Sequence, residues 1–383
     1  MIRDEILGLI AFAAFLLAAT PTRAETVPEV TFRGGYTDNL FNDSASLNDS
    51  YTAISPRLNI YPSPSSQITL GAAYTAYFEE SELSNFSGDA GFTIIPTAID
   101  ADLNLMLSGG LSGRRYGSRY DAYNNYGLNG GGAFNYRLRP DLILRGGASA
   151  ALSDYTNSFS GDSKTWNVFG GLNMTVLGSN SVNLQLGLDY KQFEHPASWQ
   201  DDVQRGRDRS ENATVTSDFG ILRYSIRYSR PWGKRVGLGG FLTLSEFVEE
   251  ADSVIYGFTI DYLSPWSSLW EGPTLGAYIK SYPGKDFIVE GGFSYIDKEF
   301  VKNLEVVTYE DPNDSTLLVT DFVLQQRSDQ RFNLYVRLQR PISASSGTLI
   351  KPMVQLAWVD NKSNQGLFEY SYFDINLSVN VRF

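Results

Sequence analysis

The sequence predicts an all-β protein, a transmembrane antiparallel up-and-down β-barrel of 18 strands, with 16 strands as the alternative. Residues 370–383 alternate without a break between apolar and polar side chains, which is the pattern of a strand with one apolar face. Similar segments, separated by turn residues, recur along the whole chain, as they do in membrane barrels. No long apolar segment follows residue 24, so any membrane crossing has to use strands.

The N-terminal segment predicts export. An apolar run over residues 6–19 follows Arg3, and Thr22-Arg23-Ala24 fits a small-x-Ala cleavage site. These are the parts of a secretory signal peptide, and the run is too short for a spanning helix. We therefore expect a signal peptide at residues 1–24 and a barrel over residues 25–383.

Composition excludes several classes of protein. The chain has no Cys, which rules out structural disulfides and a lipid-modified cysteine anchor. The net charge of -12 argues against nucleic acid as a partner. A mean hydropathy of -0.21 is uninformative, because a barrel alternates its apolar residues with polar ones. The 14% aromatic content fits bands of aromatic residues at two membrane interfaces.

The predicted crossings follow one another along the chain. A single-chain barrel of this kind is expected to have an even number of strands, so residues 315–325, where Leu318, Thr320, Phe322 and Leu324 alternate, are added to complete the set. The other predicted strands are residues 30–41, 51–61, 67–78, 86–95, 101–109, 126–138, 142–152, 166–176, 182–193, 218–229, 235–247, 254–263, 274–280, 287–296, 331–339, 350–359 and 370–383.

The connections predict two different ends. Short turns rich in Pro, Gly, Ser and Asn alternate with longer polar loops at residues 42–50, 114–125, 157–164 and 195–216. In outer-membrane barrels the short turns face the periplasm and the long loops face the outside. The regular spacing of alternating segments is interrupted at residues 300–314, so the sequence predicts no strand topology there.

Catalysis and metal binding have little support. The single His, His195, lies near Ser198 and Asp201, but beside Pro196 it is best interpreted as an exposed loop residue. One His and no Cys leave no ligand set for zinc or iron. We therefore predict no enzyme activity, no cofactor and no metal. Acidic residues that could bind Ca²⁺ are better explained as solvated surface charge: Asp43, Asp49, Asp201, Asp202, Glu249, Glu250, Asp311 and Asp314.

One basic cluster has two interpretations. Arg114, Arg115 and Arg119 are interleaved with three tyrosines, Tyr116, Tyr120 and Tyr123. Such a cluster could hold an anionic sugar or a lipopolysaccharide phosphate. An ordinary loop at the barrel rim explains it equally well.

The inward faces carry the functional prediction. Assigning the polar residues of each strand to the lumen places more basic than acidic side chains inside, which reverses the sign of the whole chain and predicts anion preference. The alternative is that these side chains pair with acids or tyrosines and fill the lumen. The predicted pore-lining residues are Arg57, Arg145, Arg223, Arg227, Arg337, Lys351 and Arg382.

Both ends of the chain resemble a loosely defined family of bacterial outer-membrane β-barrel proteins. The resemblance rests on residues 35–41 (Gly-Tyr-Thr-Asp-Asn-Leu-Phe) and on Asn361-Lys362-Ser363-Asn364 followed by a terminal strand that closes with Phe383. Barrels of this kind often accompany exopolysaccharide export, and their assembly machinery recognises the terminal strand. The resemblance thus implies location in the outer membrane of a Gram-negative bacterium, with Phe383 as the assembly signal.

The expected function is a non-enzymatic pore for solutes or an anionic polysaccharide. The alternative is a structural or adhesive surface barrel with a plugged lumen. Expected partners are outer-membrane lipid and lipopolysaccharide, the barrel assembly machinery and periplasmic export components, but no nucleic acid.

Overall fold

The computed structural model describes residues 24–44, 46–97, 101–156, 162–196, 214–249, 265–284, 286–311, 314–344 and 347–383. For residues 194–196, 214–217, 249, 265–266, 301–311 and 314–325 only the backbone is described. The strands are β1 (Glu25–Thr37), β2 (Asp49–Ser63), β3 (Ser66–Tyr77), β4 (Asn85–Ile94), β5 (Leu103–Tyr116), β6 (Asn125–Arg139), β7 (Leu142–Tyr155), β8 (Ser163–Val176), β9 (Asn180–Pro196), β10 (Thr214–Trp232), β11 (Val236–Glu249), β12 (Trp270–Ser281), β13 (Ile288–Asp311), β14 (Asp314–Gln339), β15 (Ile342–Ser343), β16 (Leu349–Ser363) and β17 (Tyr370–Arg382).

The strands form one closed antiparallel sheet. Each long strand pairs with its neighbours in the chain, and β1 pairs with both β2 and β17. The two-residue β15 pairs only with β16, inside the β14–β16 turn. The barrel wall therefore has 16 strands, which confirms the alternative count. The first choice of 18 is wrong.

The count was wrong because alternation does not show where a strand ends. Residues 315–325 belong to β14, which continues without interruption to Gln339. β12 pairs with β13 only as far as Phe300, and β16 pairs with β14 only from Asp329 onward. Beyond these points β13 and β14 pair with each other, with a register shift between Glu299 and Lys302. Residues 300–311 and 314, in the region where the regular spacing of strands was interrupted, thus lie in a hairpin that extends past the barrel wall.

Two further predictions fall outside the described residues. The segment 254–263, predicted as a strand, is one of them, and β11 pairs directly with β12 across it in sequence. The apolar run of the predicted signal peptide is the other, so its cleavage stays a prediction. In the described part of the chain, no helix is long and apolar enough to cross a membrane.

A buried arginine fixes the base of the extended hairpin. The Arg327 guanidinium lies 3.5 Å from the ring centre of Phe368 and 4.3 Å from that of Phe300. Its Nε donates to both carboxylate oxygens of Asp329, at 2.9 and 3.0 Å. Cation–π contacts strengthen when they are desolvated, and both members of this ion pair are buried. This arginine therefore joins the hairpin to the β16–β17 connection.

The two ends of the barrel differ, as predicted. Short turns join β2 to β3, β6 to β7, β8 to β9 and β10 to β11, and the last of these uses Gly233 with φ of 70°. The first and last strands begin and end at this same end, where the Phe383 N–H donates to the Pro28 carbonyl at 3.0 Å. The opposite end carries the longer connections, among them the 3₁₀ helices Ser81–Leu83, Ser118–Tyr123, Pro265–Ser268 and Gly366–Phe368. We call these the short-turn end and the long-loop end.

One face of the wall is apolar and exposed. On β17, Leu377 is 51% exposed, and Phe373 and Val379 lie on the same face. Neighbouring strands continue this surface because directly paired residues share a face: Leu377 lies opposite Gly34 on β1 and Val354 on β16. Large exposed apolar side chains on this face include Phe32, Ile54, Leu107, Val168, Leu186, Ile226, Leu242, Leu275, Phe293 and Val336. This band is expected to contact lipid.

The assignment of faces predicts unequal effects for adjacent substitutions. Leu377→Arg puts a charge near the middle of the apolar band and should lower the free energy of unfolding in lipid by about 2–4 kcal/mol. Asn376→Arg, on the opposite face, should cost much less, because arginine keeps a donor for the Tyr51 hydroxyl that Asn376 contacts. Urea titrations of vesicle-folded protein measure both values. Equal losses would mean that the two faces are misassigned.

Candidate pore lining and mouth

Side chains that span an intervening strand identify the inner face. The Asn376 amide on β17 donates to the Tyr51 hydroxyl on β2 at 2.5 Å, across β1. Gly35 on β1 leaves room for this contact, since a Cβ there would lie 2.5 Å from the Tyr51 ring. Arg331 reaches the Tyr372 hydroxyl in the same way, at 3.4 Å across β16. Side chains converge like this on the concave side of a closed sheet, so this polar face lines the lumen.

Strand register places all seven predicted basic residues on this inner face. Arg57 and Arg382 both lie opposite Glu29 of β1, and Lys351 lies opposite Asn380. The same pairing connects Arg145, Arg223 and Arg337 to inward polar or glycine positions on their neighbours, and Arg227 to Asn183 and Phe241. Their role in a pore stays a prediction.

Three of the seven are paired with inward acids. Arg57 lies 3.4 Å from Asp89 across β3, where Gly71 leaves the space that the Asp89 carboxylate occupies. Arg223 contacts Asp189, and Arg337 lies 3.9 Å from Glu290 while donating to Gln355. The Arg57 and Asp89 side chains are 50% and 43% exposed. Such a solvent-exposed ion pair adds little stability, and its main effect is to neutralise charge.

The other four basic residues have no such pair. Among the residues that the structure describes, no carboxylate lies within 4.0 Å of Arg145, Arg227, Lys351 or Arg382. The inward acids Glu29 and Asp374 also have no ion pair among the described residues, so the four basic residues outnumber them and leave a net positive charge on this part of the inner face.

Two of these unpaired arginines belong to a polar surface shared by four strands, which we call the basic arc. It comprises Arg145 of β7, Asn173 of β8, Asn183 and Gln185 of β9, and Arg227 of β10. Asn173 pairs with Asn183 and Asn183 with Arg227, while Gly171 separates Arg145 from Gln185. The Asn183 amide donates to the Asn173 side-chain oxygen. Guanidinium and amide donors at this spacing suit an anionic or hydroxyl-rich solute.

Sequence reasoning missed some inward charges. Arg114 was left out because its strand was predicted to end at residue 109, whereas β5 runs to Tyr116. Glu29 was left out because its strand was predicted to begin at residue 30, whereas β1 begins at Glu25. Arg331 was overlooked although it alternates with Arg337. Strict extension of the alternation into each strand end would have found all three. The acid Asp374 also lies on the inner face, opposite Ala357.

At the long-loop end, a buried cluster crosses the lumen. We call it the mouth cluster, and each member is at most 9% exposed. Leu40, Leu83, Tyr120 and Tyr123 come from the connections after β1, β3 and β5, with Tyr116 from the end of β5. The remaining members come from the opposite wall: Phe193, Phe219, Ile221 and Leu269.

Polar contacts hold the connections of the first wall in place. The Asp49 carboxylate, only 2% exposed as a residue, accepts from the backbone N–H groups of Phe78, Glu79 and Glu80 at 2.9–3.1 Å. Arg119 lies 3.2 Å from Glu80. Burial, and then the Glu80 carboxylate, raise the pKa of Tyr120 above its usual value. The phenol therefore stays neutral at physiological pH, as suits a member of a buried cluster.

On the opposite wall, Lys191 ties a connection to a strand. Its Nζ donates to Ser268 Oγ at 2.5 Å, and Ser268 ends the 3₁₀ helix next to Leu269. Lys191 also lies directly opposite Phe219. This bond therefore holds the connection before β12 at the inner wall, where Leu269 joins the mouth cluster.

The structure places several of the remaining candidate residues in strands rather than in loops. The prediction that Arg114 and Arg115 lie in a loop is wrong, because both are in β5, and only Arg119 lies in the connection. Arg114 donates to the Tyr116 hydroxyl at 3.3 Å, and all three tyrosines of this cluster are buried.

His195 belongs to β9 rather than to a loop. Within the described residues, no group of three His, Asp or Glu side chains could hold a metal.

No protein-family model matches the chain, and no curated protein sequence matches it. Solved structures are similar over nearly its whole length. OprB of Pseudomonas putida has 8% identity and a TM-score of 0.47, and the match covers 94% of each chain. A bacterial polysaccharide outer membrane secretin has 9% identity and a TM-score of 0.46, covering 93% of this chain and 98% of the other. The outer membrane protein OpdK of Pseudomonas aeruginosa has 10% identity and a TM-score of 0.41, covering 94% and 98%.

These similarities are weak. The closed barrel is established by the strand pairing of the chain itself, and the similar structures indicate no substrate for it.

The contacts of Asp49 predict a local change in protection. Asp49→Asn removes the charge that accepts three N–H groups, and charge-assisted hydrogen bonds contribute about 1.5–3 kcal/mol. Hydrogen exchange at residues 78–80 should therefore speed up by roughly 10-fold or more. Asp141→Asn, in an exposed turn at the opposite end, is the matched control. Unchanged exchange at residues 78–80 would show that the connection is held by apolar packing alone.

Proposed function

We propose that this protein is a non-enzymatic outer-membrane pore that passes anionic solutes. The observation that carries the proposal is the excess of basic side chains without an ion pair among the described residues, on the inner face of a closed barrel whose outer face is apolar. Charge enclosed by a low-dielectric wall acts on permeating ions more strongly than the net charge of the whole protein. The inner face is thus expected to favour anions although the chain carries -12 overall.

The outer surface supports placement in a membrane. Exposed aromatic side chains lie near both edges of the apolar band, with Phe86, Trp166 and Trp358 toward the long-loop end and Trp232 and Tyr282 toward the short-turn end. Aromatic residues at both interfaces are typical of outer-membrane barrels. We infer from the loop asymmetry that the short-turn end faces the periplasm. Partners in this setting are lipid, lipopolysaccharide and the barrel assembly machinery, with Phe383 as its signal.

An anionic polysaccharide is the more specific cargo that we propose. A linear polyanion presents repeated carboxylates and hydroxyl groups, which match the alternating guanidinium and amide donors of the basic arc. Entry of such a polymer requires the mouth cluster to move aside. Periplasmic export components would then deliver the chain to the short-turn end.

A plugged structural or surface barrel is the second candidate, and the mouth cluster favours it. Buried side chains from both walls meet there, and polar contacts hold the connections that carry them. If this packing persists in the membrane, ions cannot pass, and the long-loop end serves as a surface for contacts outside the cell.

Ion selectivity tests the pore. Purified protein in planar bilayers should form channels whose reversal potential in a KCl gradient shows anion preference. Replacing both Arg145 and Arg227 with Ser should move that potential toward the cation side, because each change removes an unpaired inward charge. The double replacement with Lys keeps both charges and should leave the potential near its original value. Cation preference of the unmodified protein would contradict the proposal.

Conductance tests the mouth. Replacing Phe193 and Phe219 with Ala removes two fully buried rings from the mouth cluster and should raise single-channel conductance several-fold if this cluster is the constriction. Phe169→Ala is the control, since Phe169 lies on the inner wall of β8 over Gly147 and outside the cluster. A protein that is silent before the change and conducts after it would establish the plugged barrel. Equal effects of both changes would remove the mouth as the constriction.

A further inference from the structure

Two open grooves of similar size lie on the apolar outer face of the described strands. One, of about 460 Å³, lies over the joint between β1, β17, β16 and β14 and is lined by Phe32, Gly34, Leu338, Pro352, Val354 and Leu377. The other, of about 430 Å³, lies over β8–β11 and is lined by Gly170, Leu184, Leu186, Tyr224, Ile226 and Leu242. We call them the seam groove and the far groove. Both volumes fall within the ~300–1,000 Å³ of typical small-molecule sites.

Each groove exists because a glycine faces outward at its floor. A Cβ on Gly34 would meet only the Tyr51 carbonyl oxygen, at 3.6 Å, and a Cβ on Gly170 would meet nothing within 4 Å. Neither position needs glycine for its backbone, since neither has a positive φ. Larger side chains can therefore fill either groove without disturbing the wall.

Of these two grooves, only the seam groove has a cation at its outer edge. The outward residues of β14 run Phe332, Leu334, Val336 and Leu338, and then reach Arg340 at the short-turn end. Arg340 lines the seam groove together with Phe287, and its guanidinium lies 5.0 Å from the Phe287 ring centre. Because the apolar series ends at Arg340, this charge marks the boundary between hydrocarbon and water.

We propose that the seam groove binds an anionic phospholipid of the periplasmic leaflet. One acyl chain lies along the apolar floor at Gly34, and the headgroup phosphate pairs with Arg340. Basic residues at a membrane surface attract anionic lipids, and the planar guanidinium suits a phosphate. The inference rests on the membrane placement proposed above.

A second copy of this chain is a poorer occupant. Self-association through the seam groove would bury Arg340, which forms no ion pair with any described acid. Burying an unpaired charge is costly, whereas a lipid phosphate neutralises it and leaves the headgroup in water.

Native mass spectrometry of the purified full chain in mild detergent tests the inference, with dioleoylphosphatidylglycerol titrated as the probe. We expect Gly34→Leu and Arg340→Gln each to weaken binding of one retained lipid at least 10-fold. Gly170→Leu, which fills the far groove, and Arg230→Gln, which removes another outward arginine next to the short turn after β10, are the matched controls. They should leave that lipid in place. Arg340→Gln changes only an exposed side chain, so folding is not at risk.

Each other outcome overturns the inference. Equal losses from the seam and far variants would indicate nonspecific annular lipid. Equal binding of dioleoylphosphatidylcholine would remove the role of charge complementarity, and a changed oligomer mass in the seam variants would make a second copy the occupant. Displacement by lipopolysaccharide would assign the groove to the outer leaflet. Membrane fractionation separates this test from the function: a protein absent from the outer membrane refutes the placement, whereas an inserted protein without the bound lipid refutes only the seam groove.

Discussion

Closure of the sheet is the constraint on which the rest of this structure depends. In lipid, an unpaired backbone N–H or C=O group costs several kcal/mol, so a sheet that crosses a membrane cannot leave an edge. Here the two ends of the chain supply the joint, with β1 and β17 paired from Glu29–Arg382 to Thr37–Asp374. At the long-loop end, the Asp38 carboxylate accepts from the Phe373 N–H at 2.7 Å. The two segments that carry the family resemblance therefore meet at this joint.

Closure also explains which parts of the fold could be predicted from the sequence. Once the period of two in β17 is known, the opposite residues of β1 and β16 must share its faces. Arg57 and Lys351 could therefore be placed on the inner face from alternation alone. Strand number could not, because the pattern Leu318, Thr320, Phe322 is the same in a separate crossing and in the continuation of a long strand. Only the pairing of β13 with β14 past Phe300 distinguishes the two.

Glycine positions determine how the inner charges can be arranged. Gly71 allows Asp89 to reach across β3 to Arg57, and Gly35 does the same for Tyr51 and Asn376. A side chain with a Cβ at either position would block the contact. Sequence reasoning treated glycine only as a turn residue. It therefore could not say which arginines would be neutralised, since that depends on residues two strands apart.

The mouth cluster lay beyond sequence analysis for a related reason. Tyr120 and Phe219 are about 100 residues apart, and neither the loop after β5 nor the alternation of β10 indicates that they belong to one buried cluster. The interpretation of the Arg114–Arg119 region as an anion site stays a prediction, because its three tyrosines are buried whereas the Arg119 side chain is exposed.

The separation of this cluster from the basic arc bears on mechanism. The cluster lies at the long-loop end, whereas Arg227 and Arg145 lie on the part of the wall nearer the short-turn end. A plug needs no charge excess beneath it, and four basic side chains that have no carboxylate partner among the described residues repel one another in a confined lumen. This unfavourable arrangement is easiest to reconcile with a lumen that admits anions from the periplasmic side, below a constriction at the outer mouth. In the function proposed above, the wall sets which solutes enter, and the mouth sets when they leave.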